Sequence, residues 1–99
     1  MIPNSQIREF ANELFEQALA KIEAKNSDYA GCWEDSLISS LADRLREKAV
    51  RVRNLAIKEM TGEAAVVDEH YTREIDEMMG YCIFLYIKTQ MRDERKESE

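Results

Sequence analysis

Residues 25–33 read KNSDYAGCW, and this stretch cuts an otherwise helical pattern in two. Asn26, Ser27 and Asp28 have short polar side chains that compete with the backbone for hydrogen bonds and favour turns and caps, and Gly31 adds a permissive backbone position. N-terminal to it, Ile7, Phe10, Ala11, Leu14, Phe15, Ala18 and Ile22 recur at spacings of three and four. That is one face of an amphipathic helix from about residue 5 to 24, preceded by Pro3 and capped at Asn4 or Ser5. C-terminal to it, Ile38, Leu41, Leu45, Ala49, Val52 and Ala56 mark a second helix, capped at Asp35 or Ser36 and stopped at Gly62. A third runs from about residue 67 to 92 with Tyr71, Ile75, Met78, Met79, Cys82 and Tyr86 on its inward face. Gly80 interrupts that helix at a cost of about 0.5–1 kcal/mol relative to alanine, which points to a close neighbouring backbone or a slight bend.

Nothing in the chain alternates like a strand, and no repeat stands out. The expected fold is all-α: one domain over residues 1–99, a three-helix antiparallel bundle with a charged tail that frays from about residue 92. After Gly80 the run YCIFLYI, Tyr81 to Ile87, leaves no polar face. Three helices do not readily cover Phe84 and Ile87 on every side, so a homo-oligomer joined through this region is expected to complete the bundle.

Composition narrows the classes of function. The 99 residues carry 20 acidic and 14 basic side chains, a formal net charge of −6, which disfavours duplex DNA and anionic membranes as partners. The basic residues concentrate between Arg44 and Lys58, so a small anionic ligand still has a place to bind. Cys32 and Cys82 have neither a metal-binding spacing nor companion histidines and read as reduced thiols. The longest apolar run falls well short of the roughly 20 residues that span a bilayer, and no signal peptide is evident. A cytoplasmic protein is expected. His70 is the single histidine and reads as a surface residue, no serine sits in a triad-like motif, and three scattered glycines make no phosphate loop.

Two constellations carry chemistry. The first is the opening stretch, in which Lys25, Asn26, Asp28, Tyr29 and Trp33 bring together an ammonium, a carboxamide, a carboxylate, a phenol and an indole. Aromatic faces stack on bases, and Lys and Asn side chains bind phosphates and base edges, so a nucleotide suits the set. The plainer alternative is that Tyr29 and Trp33 pack beneath the helices while the polar residues make capping bonds. The second is a polar seam. Lys48 falls within the apolar stripe of the second helix, with Arg44 and Arg51 at its edge, and the third helix offers Glu74 and Glu77 on a flank shared with Tyr81 and His70. Half-buried cations need partners, and these two flanks can pair. The pairing serves either as structural salt bridges or as a site where cations hold phosphates and carboxylates hold a metal or a base edge. Glu74 and Glu77, at i and i+3, are the candidate ligands for magnesium, whereas Asp43 and Glu47 point away from the apolar stripe.

KNSDYAGCW, then SLISSLADRLREKAVRVRNL, then EIDEMMGYCIFLYI together resemble the phage-associated family called nucleotide modification associated domain one. The likeness runs from Lys25 to Ile87. It rests most on Asn26, Asp28, Tyr29 and Trp33, on Asp43, Lys48, Ala49, Arg51 and Arg53, and on Tyr81. The same layout is similar to the MazG-like all-helical nucleoside triphosphate pyrophosphohydrolases, which bind magnesium through an acidic pair on each of two helices. Glu74 and Glu77 stand in for one pair. In the other, Glu47 matches the second member, but Arg44 occupies the place of the first, which reverses the local charge.

The resemblance implies a small nucleotide-binding protein of phage type, acting in nucleotide metabolism or modification or sequestering a nucleotide signal from host defence. Two alternatives stand beside it: a magnesium-dependent pyrophosphohydrolase, and a protein-interaction module working through the apolar surface near Phe84 and Ile87.

Overall fold

The structure is a computed structural model that describes residues 1–29, 36–62 and 68–98, with side chains described for 1–25, 36–62 and 70–92. It consists of three helices, α1 (Asn4–Tyr29), α2 (Ile38–Thr61) and α3 (Asp68–Ser98), with no strand among the described residues. α3 packs against both α1 and α2, whereas α1 and α2 scarcely touch each other. α3 is therefore the shared element of a three-helix bundle. α2 and α3 run antiparallel, since Lys48 pairs with Glu77 while Glu59, further along α2, bonds to the earlier Tyr71.

The helix ends depart from the sequence reading in physically instructive ways. α1 opens on the Pro3 carbonyl, which accepts hydrogen bonds from the backbone N–H of Gln6 (3.0 Å) and Ile7 (3.1 Å), so Asn4 and Ser5 lie inside the first turn and not at the cap. At its other end α1 continues through Asn26, Ser27 and Asp28 to Tyr29, five residues past the expected stop. Each of these polar residues costs a helix only a few tenths of a kcal/mol, too little to stop one that is already propagating. Gly31, Cys32, Trp33 and Asp35 lie outside the described residues.

α2 begins after Leu37, whose extended backbone occupies the cap position without a side-chain bond. It ends as expected at Gly62, in the left-handed conformation (φ 76°), whose N–H is donated to the carbonyls of Glu59 and Lys58. α3 stays helical to Ser98, through the charged stretch expected to fray.

The buried residues are few. Ala18 and Leu41 are the buried apolar side chains among the described residues, and Glu74 and Asp76 are buried beside them. The inward face of α3 matches the expected one only in part: Tyr71, Met78 and Met79 are half-covered, but Ile75, Cys82 and Tyr86 are exposed, while Glu74, Asp76 and Gly80 are buried. In α2, Ala49 is exposed and Lys48 takes its place, so that Ile38, Leu41, Leu45, Lys48, Val52 and Leu55 alternate spacings of three and four along the contact line. Gly80 lies against α1, where an added Cβ would sit 3.8 Å from Ile22 Cγ1, an ordinary contact distance. Tyr81, Ile83, Phe84, Leu85 and Ile87 are half-covered, and the Tyr81 and Phe84 rings meet edge to face at 6.2 Å. No helix among the described residues is long and apolar enough to cross a membrane.

Candidate functional site

The site begins with a cation where the periodicity of α2 calls for an apolar residue. Lys48 is only 16% exposed; its ammonium pairs with Glu77 Oε2 and lies 3.7 Å from Glu74 Oε2. The stem of a lysine packs well in such a stripe, but its charge must be met, and both carboxylates come from α3 one turn apart. Glu74 is more deeply buried than its partners, at 6% exposure. Its Oε1 lies 4.0 Å from Arg51 Nη1 on α2 and 4.0 Å from Arg73 Nη2 on α3. Both arginine side chains are more than half exposed, so Glu74 lies beneath two cations that face solvent.

A second pair lies on the other side of α3. Asp76, about 200° around the helix from Glu74, accepts a hydrogen bond of 3.0 Å from Lys21 of α1. Glu77 lies between the two directions and meets cations from both neighbours. Burial pushes its carboxyl upward, but the hydrogen bond and charge of Lys48 outweigh that, helped by Lys25 and Lys21, and the net result lies below the ordinary glutamate value. The polar line is therefore continuous from α1 across α3 to α2. Lys21, Lys25, Lys48, Arg51 and Arg73 stand around Glu74, Asp76 and Glu77, a local excess of positive charge in a chain whose net charge is negative. Glu74 Oε2 and Asp76 Oδ1 are buried and accept no hydrogen bond.

The sequence-predicted residues divide into three groups. Lys48, Arg51, Glu74 and Glu77 come together, and the α2 and α3 flanks pair as their periodicity indicates. Lys25 is exposed on the last turns of α1, within electrostatic reach of Glu77, and Arg44 is exposed one turn before Lys48. Asn26, Asp28 and Tyr29 belong to the helical backbone of α1, and the side chains of these three, like the whole of Trp33, lie outside the described residues. His70 is exposed with its Nδ1 3.4 Å from Arg73 Nη2, and Asp43 and Glu47 are exposed on α2.

Three contributors escape sequence reasoning: Lys21, Asp76 and Arg73. Lys21 carried the same signal as Lys48, a cation inside an apolar stripe. Asp76 carried none, because an aspartate between the apolar positions of α3 reads as solvated.

Glu74 and Glu77 are the two residues expected to hold magnesium, and both are turned onto the Lys48 ammonium. No three His, Cys, Asp or Glu side chains converge as metal ligands among the described residues. As arranged, the groups of this set that face solvent are the guanidinium groups of Arg51 and Arg73, and its buried carboxylates are already met by cations.

No curated protein and no solved structure matches the chain. A family model does, over residues 25–89, which takes in the end of α1, all of α2 and the polar part of α3 where Lys48, Arg51, Glu74 and Glu77 meet. On that match, covering well over half its length, the chain belongs to the nucleotide modification associated domain 1 family.

Proposed function

We propose that the protein binds a nucleotide, with the phosphates on the cationic side of the polar seam and the base towards residues 25–33. The observation that carries this reading is the environment of Glu74, where Lys48, Arg51 and Arg73 converge on one buried carboxylate and two of the three keep their guanidinium groups in solvent. Phosphate oxygens accept bidentate hydrogen bonds from guanidinium groups, and Glu74 draws two of these to one spot. Family membership supports the same class of ligand, since the family's name ties it to nucleotide modification. In this role Lys25, Lys48, Arg51 and Arg44 supply charge, Tyr29 and Trp33 supply stacking faces, and Asn26 and Asp28 read the base edge. A phage-type protein of this kind, working in the cytoplasm, would act in nucleotide metabolism or modification, or withhold a nucleotide signal from host defence. Self-association through Tyr81 to Ile87 would close the bundle around that site.

A second reading, a magnesium-dependent pyrophosphohydrolase of MazG-like layout, is favoured by the bare, buried Oε2 of Glu74 beside Glu77. A metal there would have to displace Lys48. Thermal stability against nucleoside triphosphates, monophosphates and cyclic dinucleotides, with and without magnesium, separates the readings. A ligand at 100 times its dissociation constant adds about 2.7 kcal/mol, several degrees in a domain of this size. A shift that is independent of magnesium, with no product formed, supports a binder. A magnesium-dependent shift with pyrophosphate release, abolished in Glu74→Gln or Glu77→Gln, supports the enzyme. No shift with any nucleotide leaves the protein-interaction module.

A further inference from the structure

The apolar face of α1 is covered along half its length and bare along the rest. At about 100° per residue, Ile7, Phe10, Leu14, Ala18, Lys21 and Ile22 lie within one face. The C-terminal part of that face is in use: Ala18 is buried, Ile22 meets Gly80, and Lys21 pairs with Asp76. The same face nearer the N-terminus meets solvent, with Ile7 52%, Phe10 57% and Phe15 44% exposed and Leu14 only half-covered. α3 therefore covers the stripe up to Ala18 and leaves what precedes it open.

The whole molecule has too much surface for a chain of its mass. At 11.6 kDa a compact monomer exposes about 5,800 Å², whereas this chain exposes 7893 Å². The excess is roughly 2,000 Å² per chain, and obligate homodimers bury about 1,000–2,500 Å² on each partner. The radius of gyration, 16.3 Å, likewise exceeds the roughly 13 Å of a compact domain of this length.

We infer that a second copy of this chain covers the N-terminal half of α1, seated on Ile7, Phe10, Leu14 and Phe15. The excess surface of the whole chain is of the order that a homodimer buries on each partner, the bare stripe of α1 holds part of it, and that stripe suits pairing with an identical helix. Ala11 lies among the four larger side chains and leaves room for a facing knob, so that two copies of this segment interdigitate around their alanines. This interface lies on α1, apart from the Tyr81 to Ile87 run and on residues that precede the family-matched segment, and it stands independently of the nucleotide reading.

Sedimentation equilibrium of the full chain, over a hundredfold range of concentration, tests it against the variant Phe10→Glu. The expected result is a wild-type mass of twice 11.6 kDa, or a closed multiple of it, with Phe10→Glu shifted at least tenfold in concentration towards the monomer. Hydrogen exchange of the wild-type protein keeps the test decisive should the variant fail to fold. Amides of residues 7–15 gain protection as concentration rises if a second copy covers them. A monomer at every concentration, or an oligomer that Phe10→Glu leaves intact and whose 7–15 amides exchange independently of concentration, overturns the assignment.

Discussion

Glu74 and Lys48 hold each other in place, and neither can be changed without exposing the other's cost. Removing one member of a buried pair leaves a charge without compensation and typically costs about 3–5 kcal/mol. Lys48→Met removes the nearest cation from two carboxylates, Glu74 and Glu77, and leaves them only the more distant charges of Arg51, Arg73, Lys21 and Lys25, so a loss of about 3 kcal/mol, the lower end of that range, is expected in urea-unfolding free energy. Arg51→Met and Arg73→Met remove mostly exposed groups and should each cost at most about 1 kcal/mol, which makes them the usable probes of ligand binding. Glu77 adds a pH signature. Its carboxyl lies below the ordinary value of 4.5 in the folded protein, so the stability it contributes is fully present above that value and is lost as pH falls through the lower, folded one. The stability gap between wild type and Glu77→Gln should therefore be widest near neutral pH and close as the medium is acidified below 4.5. A gap that is unchanged between neutral and strongly acidic pH would show that the charge of Glu77 is not what Lys48 needs. These pairings were legible in the sequence wherever a cation interrupted an apolar stripe, as Lys48 does. Glu74 and Asp76 were harder to place as buried, because acidic residues are almost always solvated and nothing local marks the exceptions.

α3 meets α1 at a glycine that does not need to be one. Gly80 is helical, and a Cβ there would only touch Ile22 at 3.8 Å. Gly80→Ala should raise unfolding free energy by about 0.5–1 kcal/mol through helix propensity. A loss of stability in denaturant titration would mean that α1 and α3 approach more closely than these distances indicate. The adjoining pair of Lys21 and Asp76 allows a sharper comparison between helices. Lys21→Met leaves Asp76 buried and unpaired, whereas Lys21→Met combined with Asp76→Met removes both charges. The double variant should be the more stable of the two, since apolar replacement of a buried pair is often neutral or better. Helix number, helix type and the Gly62 stop were all readable from periodicity and turn chemistry. The extent of α1 past Lys25 was not, because the residues that would break it there carry only weak penalties.

As a whole the protein is two helices hung on a third, with a polar line through the middle and little apolar burial around it among the described residues. A ligand that binds only the folded form stabilises such a molecule by mass action, and on the proposed function a nucleotide on the cationic side of the seam would do so. The family match shares that location, covering residues 25–89 and stopping short of both outer segments. The sequence marked Lys48, Arg51, Glu74 and Glu77 by their faces, but it could not order Arg73 and Lys21 into the same line, which requires the packing of α3 between its neighbours. Calorimetric titration of nucleotides into the wild-type protein and into Arg51→Met/Arg73→Met is the decisive measurement. Each guanidinium contact to a charged phosphate is worth about 1.5–3 kcal/mol. The wild type should bind a phosphate-bearing nucleotide and not its nucleoside, and the double variant should bind it at least about a hundredfold more weakly while keeping its fold. Absence of binding by the wild type, or equal affinity in the two proteins, would contradict the assignment of the phosphate site to this seam.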